Sequence, residues 1–409
     1  MAKYLTLDDL NVKNKTVLVR VDFNSPIDPK TKKILEDVRI RAHGETTIRE
    51  LSDKGAKVVI LAHQGRKGDA DFIPLKQHAE ILSKILARPV KYVDDLYGEE
   101  AKRAIKDLKP GEILVLKNVR EYPCETKEGT PEEHARTELV KNLAPLADYF
   151  VNDAFAAAHR AHVSIVGFTA VLPSAAGRIM ERELKSLTKI LENPEKPTAF
   201  IFGGAKADDS LEISKYVLDN KIADHILTGG VVSQVFLTAN NIDLGKGNME
   251  FLREQELLDL VPGIRALIQK YPDKIRTPTD VAVEANKKRI EIPVTRLPTD
   301  HPIYDIGSQT IQDYGKIIKT AKSIVVSGPM GVYENKEFAV GTQEVFEEIA
   351  ESKAFSVAGG GHTISALQEF GLSRKISYIS TAGGALIEFL MGKKLPGVTA
   401  LEKAAERKA

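Results

Sequence analysis

Arginine and histidine recur directly behind short apolar runs in the first half of this chain. Arg20-Val21-Asp22-Phe23-Asn24, His63-Gln64-Gly65-Arg66, Asn118-Val119-Arg120 and His159-Arg160-Ala161-His162 each follow such a run, and Arg39 and Arg41 lie a short way beyond the first. A guanidinium fork matches the oxygens of a carboxylate or phosphate in pairs, so arginines gathered at one sheet edge would hold a small, multiply charged anion. Each arginine alone reads as a solvated surface charge. Their shared position after successive strands argues for a site. His63, His159 and His162 do not read as a zinc site: there is no HExxH, no acidic third ligand at helical spacing, and Arg160 would repel a cation. His63 reads instead as an anion contact.

The second half places glycine where the first places arginine. Gly203-Gly204-Ala205-Lys206, Gly229-Gly230, Gly328-Pro329-Met330-Gly331, Gly359-Gly360-Gly361-His362-Thr363 and Gly383-Gly384 each follow an apolar run. Glycine lets backbone amides approach a ligand, and a helix beginning there adds its positive end, so such turns suit phosphates. The rival reading is that tight strand-to-helix turns use glycine for geometry alone. Neither GxxxxGK[ST] nor GxGxxG after a strand occurs, so a P-loop and a Rossmann fingerprint are both absent. Lys206 stands where a point charge could follow a migrating phosphoryl group. Glu334 could accept from ribose hydroxyls, and Asp208 and Asp209 either bind Mg²⁺ or favour a helix start. Cys124 has no histidine beside it and reads as packing.

Positioning these groups requires strands. Runs of strand length at 16–23, 58–62, 112–116 and 149–152, then 199–202, 225–228, 274–278, 324–327, 355–358 and 377–380, alternate with helix-like stretches, the pattern of parallel α/β sheets. Between the halves, residues 177–192 put Ile179, Met180, Leu184, Leu187 and Leu191 on one face and stop at Asn193-Pro194, which predicts a single connecting helix. The expected architecture is two doubly wound parallel-sheet, Rossmann-like domains: 1–176, a helix over 177–192, and 193–394.

Composition narrows the classes. With 409 residues, 58 Lys+Arg against 57 Asp+Glu and 43% hydrophobic residues, the chain can bury sizeable cores and carries no net field to attract nucleic acid or an acidic membrane. A single cysteine excludes a disulfide framework, and MAKYLTLDDL lacks the apolar stretch of a leader, so a cytoplasmic protein is expected. Oligomeric state is left open.

Taken in order, Arg20 to Pro26 (RVDFNSP), His63 to Arg66 (HQGR), Asn152 to Phe155 with His159 to His162 (NDAF, HRAH), Gly203 to Lys206 (GGAK), Asp305 to Gly307 (DIG), Gly328 to Val332 (GPMGV), Gly359 to Gly361 and Leu395 to Val398 (LPGV) closely resemble phosphoglycerate kinases over essentially the whole chain. The resemblance implies a two-lobed enzyme that binds 3-phosphoglycerate in the N-terminal lobe and Mg-nucleotide in the C-terminal one. Asp22, Phe23, Asn24, Arg39, His63, Gln64, Gly65, Arg66, Arg120 and Arg160 match the substrate segments. Gly203, Gly204, Lys206, Gly230, Glu334, Gly360, Gly361, His362 and Thr363 match the nucleotide segments. Residues 395–409 match a C-terminal stretch that completes the N-terminal lobe. Ser210, Ser327 and His362 stand where the common pattern has Lys, Asn and Asp, and all three resemble the archaeal branch. The usual carboxylate of the glycine-rich turn is thus missing, which leaves Asp209 as the nearest Mg²⁺ ligand.

The implied reaction is reversible phosphoryl transfer between 1,3-bisphosphoglycerate and ADP. A carboxylate nucleophile is already ionised near pH 7, so no general base is needed. Arg39, Lys206 and the Gly360 and Gly361 amides are the expected catalytic groups, with hinge closure at the 177–192 helix. Two rivals stay open here: another acyl-phosphate or sugar-phosphate enzyme on this plan, and a catalytically silent nucleotide-binding regulator.

Overall fold

Strand-forming runs that are apolar on both faces must be covered on both faces, and this chain does so twice. A computed structural model, which describes residues 3–407, divides into two compact units: Met1–Leu184 with Lys394–Ala409, and Lys185–Lys393. Residues 1–2 and 408–409, the outer ends of the expected first domain, lie outside the described residues.

In the first unit, β1 (Leu5–Thr6), β2 (Thr16–Arg20), β3 (Lys57–Leu61), β4 (Val90–Tyr92), β5 (Ile113–Val115), β6 (Tyr149–Asn152) and β7 (Ser174–Ala176) form one parallel sheet in the order β1-β7-β6-β2-β3-β5-β4. Alternation along the strands divides their side chains between two cores. Val17, Val19, Val58 and Ile60 pack on one face with Ile48, Leu51 and Leu82, while Leu18, Val59, Leu61 and Phe150 pack on the other with Leu114, Leu143 and Phe168. The Pro396–Glu406 helix packs on β7 and on the short Val163–Val166 helix, its Gly397 amide donating to the Ala158 carbonyl at 2.8 Å.

The second unit holds a parallel sheet of β8 (Thr198–Phe202), β9 (His225–Thr228), β10 (Ile275–Arg276), β14 (Ser323–Ser327), β15 (Phe355–Gly359) and β16 (Tyr378–Ser380), ordered β10-β9-β8-β14-β15-β16. Beside it lies an antiparallel sheet of β11 (Asp280–Ala285), β12 (Lys288–Pro293) and β13 (Ile303–Ile306), in the order β12-β11-β13. The two parallel sheets are those expected, and this antiparallel sheet is an addition to them. Its hairpin turns on Asn286 and Lys287, both with positive φ, the mirror-type turn whose twist matches antiparallel strands. The strand expected at 274–278 shortens to Ile275–Arg276, because Pro278 has no amide to donate to a ladder. The expected connecting helix is Arg178–Leu191, and the division between units falls within it, after Leu184.

Candidate active site

In the first unit β6, β2, β3 and β5 are consecutive neighbours, so the residues behind them emerge side by side at the carboxyl edge, where β2 and β6 lead in opposite directions. Arg20 is buried; its guanidinium donates to Ser164 Oγ at 2.8 Å, to the Val21 carbonyl, and to His63 Nδ1 at 3.1 Å. A guanidinium only donates, so Nδ1 of His63 is bare and its proton sits on Nε2. Burial, and next the Arg20 charge, hold His63 well below its ordinary value, which makes it a neutral hydrogen-bond donor.

Asp22 accepts from Arg39 Nη1 at 2.7 Å and from the Asn24 amide at 3.0 Å. Burial alone would raise its carboxyl; the Arg39 guanidinium and the Asn24 amide outweigh that and hold it below the usual carboxylate range. Arg120 anchors to the Gly65 carbonyl, and its pKa is lowered first by burial and then by the like charge of Arg160, with Arg66 adding to it. Arg160 and Arg120 also depress Arg20 and His63. Arg120, lowered by burial and by its arginine neighbours, sits among crowded like charges that a multiply charged anion would relieve. Arg66 is exposed, and Arg39, Arg120 and Arg160 are half-buried.

At three of the expected positions the structure engages groups within the protein itself. Phe23 is buried, its ring stacked on His78 at 6.2 Å between centroids. Gln64 is buried with its amide spent on Ser25, Asp71 and His78. Gly65 donates to Asn24 Oδ1 at 2.8 Å and so holds the loops behind β2 and β3 together. Sequence reasoning missed Glu125, buried beside Arg20 and accepting from the Ser164 amide (2.9 Å) and hydroxyl (2.5 Å). Burial pushes its carboxyl up to about 7. His162 is lowered to about 3 by burial and then by Arg160. Among the described residues no group of three His, Cys, Asp or Glu side chains converges to hold a metal.

In the second unit the glycine turns are of two kinds. A Cβ on Gly203 would lie 2.1 Å from the Pro329 carbonyl oxygen, so the turns behind β8 and β14 interlock backbone to backbone, with the Gly204 amide donating to Pro329 O at 2.7 Å. Gly230 is held the same way, donating to Met330 O at 2.7 Å. Here glycine permits the interlock, and Gly204 and Gly230 also line the cavity described below. Nothing lies within 4 Å of a Cβ on Gly361, which opens the Gly361–Glu369 helix behind β15, and Gly360 before it is in the left-handed region at φ 92. The helix dipole favours an anion at this open turn. The Thr363 hydroxyl is taken by the Gly328 amide at 2.7 Å, leaving its backbone to the site.

At the β8/β14 switch point lies a cavity of 210 Å³ whose walls include Val231, Ile303, Pro329, Met330 and Val332, with Glu334 and His362 also lining it. An apolar slot with an exposed carboxylate suits a flat base with a hydroxylated sugar. His362 Nδ1 is 3.7 Å from Glu334 Oε1, and both side chains are exposed. Lys206 is exposed just before the Ala207–Asp219 helix. Ser210 turns its hydroxyl onto the Lys206 carbonyl at 2.8 Å. Asp209, half-buried on that helix's first turn, is raised first by burial and then by Asp208, a strain that a cation relieves. Mg²⁺ carried on nucleotide phosphates needs only one or two carboxylates beside its waters, so Asp209 with Asp208 fits it without a protein cage.

Two parallel-sheet units, one presenting crowded guanidinium groups and the other an open glycine turn and a lysine beside an apolar slot, define an α/β enzyme of the kinase class. The phosphoglycerate kinase family model matches residues 7–393. The chain is 48% identical over 402 residues to phosphoglycerate kinase of Methanothermobacter thermautotrophicus, covering 98% of this chain and 97% of that one. With the Methanobacterium bryantii enzyme it shares 49% over 398 residues, 97% of each. The crystal structure of phosphoglycerate kinase from Pyrococcus horikoshii superposes with a TM-score of 0.88 at 42% identity, covering 98% of this chain and all of that one. The Coxiella burnetii enzyme gives 0.85 at 33%. The chain belongs to the phosphoglycerate kinase family.

Proposed function

We propose that this protein catalyses reversible phosphoryl transfer between 1,3-bisphosphoglycerate and ADP, giving 3-phosphoglycerate and ATP, with phosphoglycerate held by the first unit and Mg-nucleotide by the second. The observation that carries the assignment is the gathering of Arg66, Arg120 and Arg160 with buried Arg20 and His63 behind neighbouring strands at one sheet edge, where Arg160 and Arg66 lower Arg120, and Arg120 and Arg160 lower Arg20 and His63. Family membership supplies the nucleotide as the second substrate.

In the direction of ATP use, the phosphoglycerate carboxylate attacks the γ-phosphorus in line while the bond to the β–γ bridging oxygen breaks. No proton has to move, so the residues act by position and charge. Arg66, Arg120 and Arg160 orient the substrate phosphate, and His63 donates from Nε2. Arg39, paired to Asp22 in the free protein, presents its remaining donors to the reacting carboxylate end. Lys206 and the Gly360 and Gly361 amides stabilise charge on the transferring group. Bound Mg²⁺ supplies neutralisation of the nucleotide phosphates, and Asp209 is the side chain that would hold it. Because the donors come from both units, turnover requires closure, with the Arg178–Leu191 helix as the hinge region. Family membership and a single cysteine support a cytoplasmic location.

Turnover of 3-phosphoglycerate with MgATP, followed through a coupled dehydrogenase, tests the proposal. Saturable dependence on both substrates is expected. Measurable nucleotide binding with no turnover would instead mark a regulator.

A further inference from the structure

His43 has no place in the chemistry above, yet it is buried at the centre of a continuous chain of hydrogen bonds. It lies one turn after Arg39 on the Val38–His43 helix, and i, i+4 spacing sets both side chains on one face. Both close on Asp22: Arg39 binds its carboxylate at 2.7 Å, and the Asp22 backbone amide donates to His43 Nε2 at 3.3 Å. An amide N–H cannot accept, so Nε2 is the bare nitrogen and Nδ1 carries the proton. Nδ1 donates to Asp153 Oδ2 at 2.6 Å, and both side chains are almost wholly excluded from solvent, at 5% and 0% exposure.

The other carboxylate oxygen of Asp153 accepts from the backbone amides of Ile179 at 2.8 Å and Met180 at 3.4 Å. These are the second and third amides of the Arg178–Leu191 helix, the segment by which the chain leaves the first unit. The carboxylate is pressed against that helix start: a Cβ on Gly177 would lie 2.2 Å from Asp153 Oδ1. Thr47, four residues after His43, accepts from the Arg178 amide at 2.8 Å. The segment that carries Arg39 therefore holds the beginning of the helix at two points, once directly and once through Asp153.

We infer that His43 is a positioning residue that transmits the state of the Asp22–Arg39 anion site to the N-terminus of the Arg178–Leu191 helix. The inference rests on reading that site as the one for phosphoglycerate. A rigid imidazole with both nitrogens engaged ties the Asp22 backbone to Asp153. An anion that draws Arg39 away from the Asp22 carboxylate changes the bond at one end of the ring, and the other end holds the helix amides. A buried pair serving stability alone would stabilise the fold equally with and without ligand.

Amide hydrogen exchange at Ile179 and Met180, with and without 3-phosphoglycerate, separates the two. In the wild-type protein the ligand should slow exchange at both amides several-fold. His43→Asn keeps a donor where Nδ1 stood, and so the Asp153 contact, but loses the acceptor for the Asp22 amide; His43→Gln does the reverse. Both variants should still bind 3-phosphoglycerate through Arg66, Arg120 and Arg160. Both should lose the ligand-dependent protection at 179–180, and their kcat should fall by about ten-fold or more with nucleotide KM within about two-fold, since misplacement of about 1 Å costs on that scale. Wild-type binding without any change at these amides, or full protection in both variants, would overturn the relay alone. No binding of 3-phosphoglycerate by the wild type would overturn the reading of the site and this inference with it.

Discussion

Replacing Arg39 by alanine removes one charged fork and nothing from the core. Its side chain is 37% exposed but that of its partner Asp22 only 6%, so the variant leaves a buried carboxylate short of its counter-charge and should lose roughly 1–3 kcal/mol of stability, read as a fall of several degrees in thermal unfolding. The catalytic loss should be larger. A unit charge at about 4 Å from a developing negative charge is worth about 4 kcal/mol at an effective dielectric of about 20, and deletion of a single donor to such a charge costs about 2.7–4 kcal/mol. Both routes give a fall in kcat of about 10²–10³. Arg39→Lys keeps the charge but loses the fork, and should recover only part of it. Steady-state kinetics with each substrate varied in turn gives kcat and both KM values. A kcat near that of the wild type, or an equally large rise in nucleotide KM, would refute the role given to Arg39.

Lys206→Ala should cut kcat by about 10² or more, by the same donor argument, while calorimetric binding of 3-phosphoglycerate stays unchanged; normal turnover would remove Lys206 from the mechanism. The two kinds of glycine turn should respond oppositely to a methyl group. Gly203→Ala must displace backbone and should destabilise by roughly 1–3 kcal/mol in denaturant titrations, whereas Gly361→Ala should fold as stably as the wild type and raise nucleotide KM. Equal effects on both would undo the distinction. Glu125 predicts a pH dependence. Its folded value of about 7 lies above the ordinary 4.5, so between these pH values the native state holds a proton that the unfolded chain has released, and stability falls as pH rises by about 3 kcal/mol. Glu125→Gln should therefore gain on the wild type between pH 4.5 and pH 7 in chemical unfolding. Parallel stability curves would contradict it.

The strands that carry the site were legible because a fully buried parallel strand is written as an unbroken apolar run, as at 58–61 or 199–202. The hairpin of β11 and β12 was not expected, although Val281, Val283, Ile290 and Ile292 alternate around Asn286-Lys287, because its alternation sits inside a long α/β pattern that invites another helix. Which glycines approach a ligand cannot be read from their spacing: Gly203 and Gly361 look alike in sequence and differ only in what stands opposite. Phe23 and Gln64 illustrate the same limit, since a motif marks a segment without saying which of its side chains turn inward. Glu125 gave no local signal at all. His43 gave one, its spacing of four from Arg39, which becomes meaningful only once Asp153 is known to lie beyond it.

In the proposed reaction the two anionic substrates are held by different units. Calorimetric titration of an Arg66→Ala/Arg120→Ala protein with 3-phosphoglycerate and, separately, with MgADP tests it most directly. Loss of 3-phosphoglycerate binding with MgADP affinity unchanged is the expected result. A parallel loss of MgADP affinity in a folded protein would contradict the account.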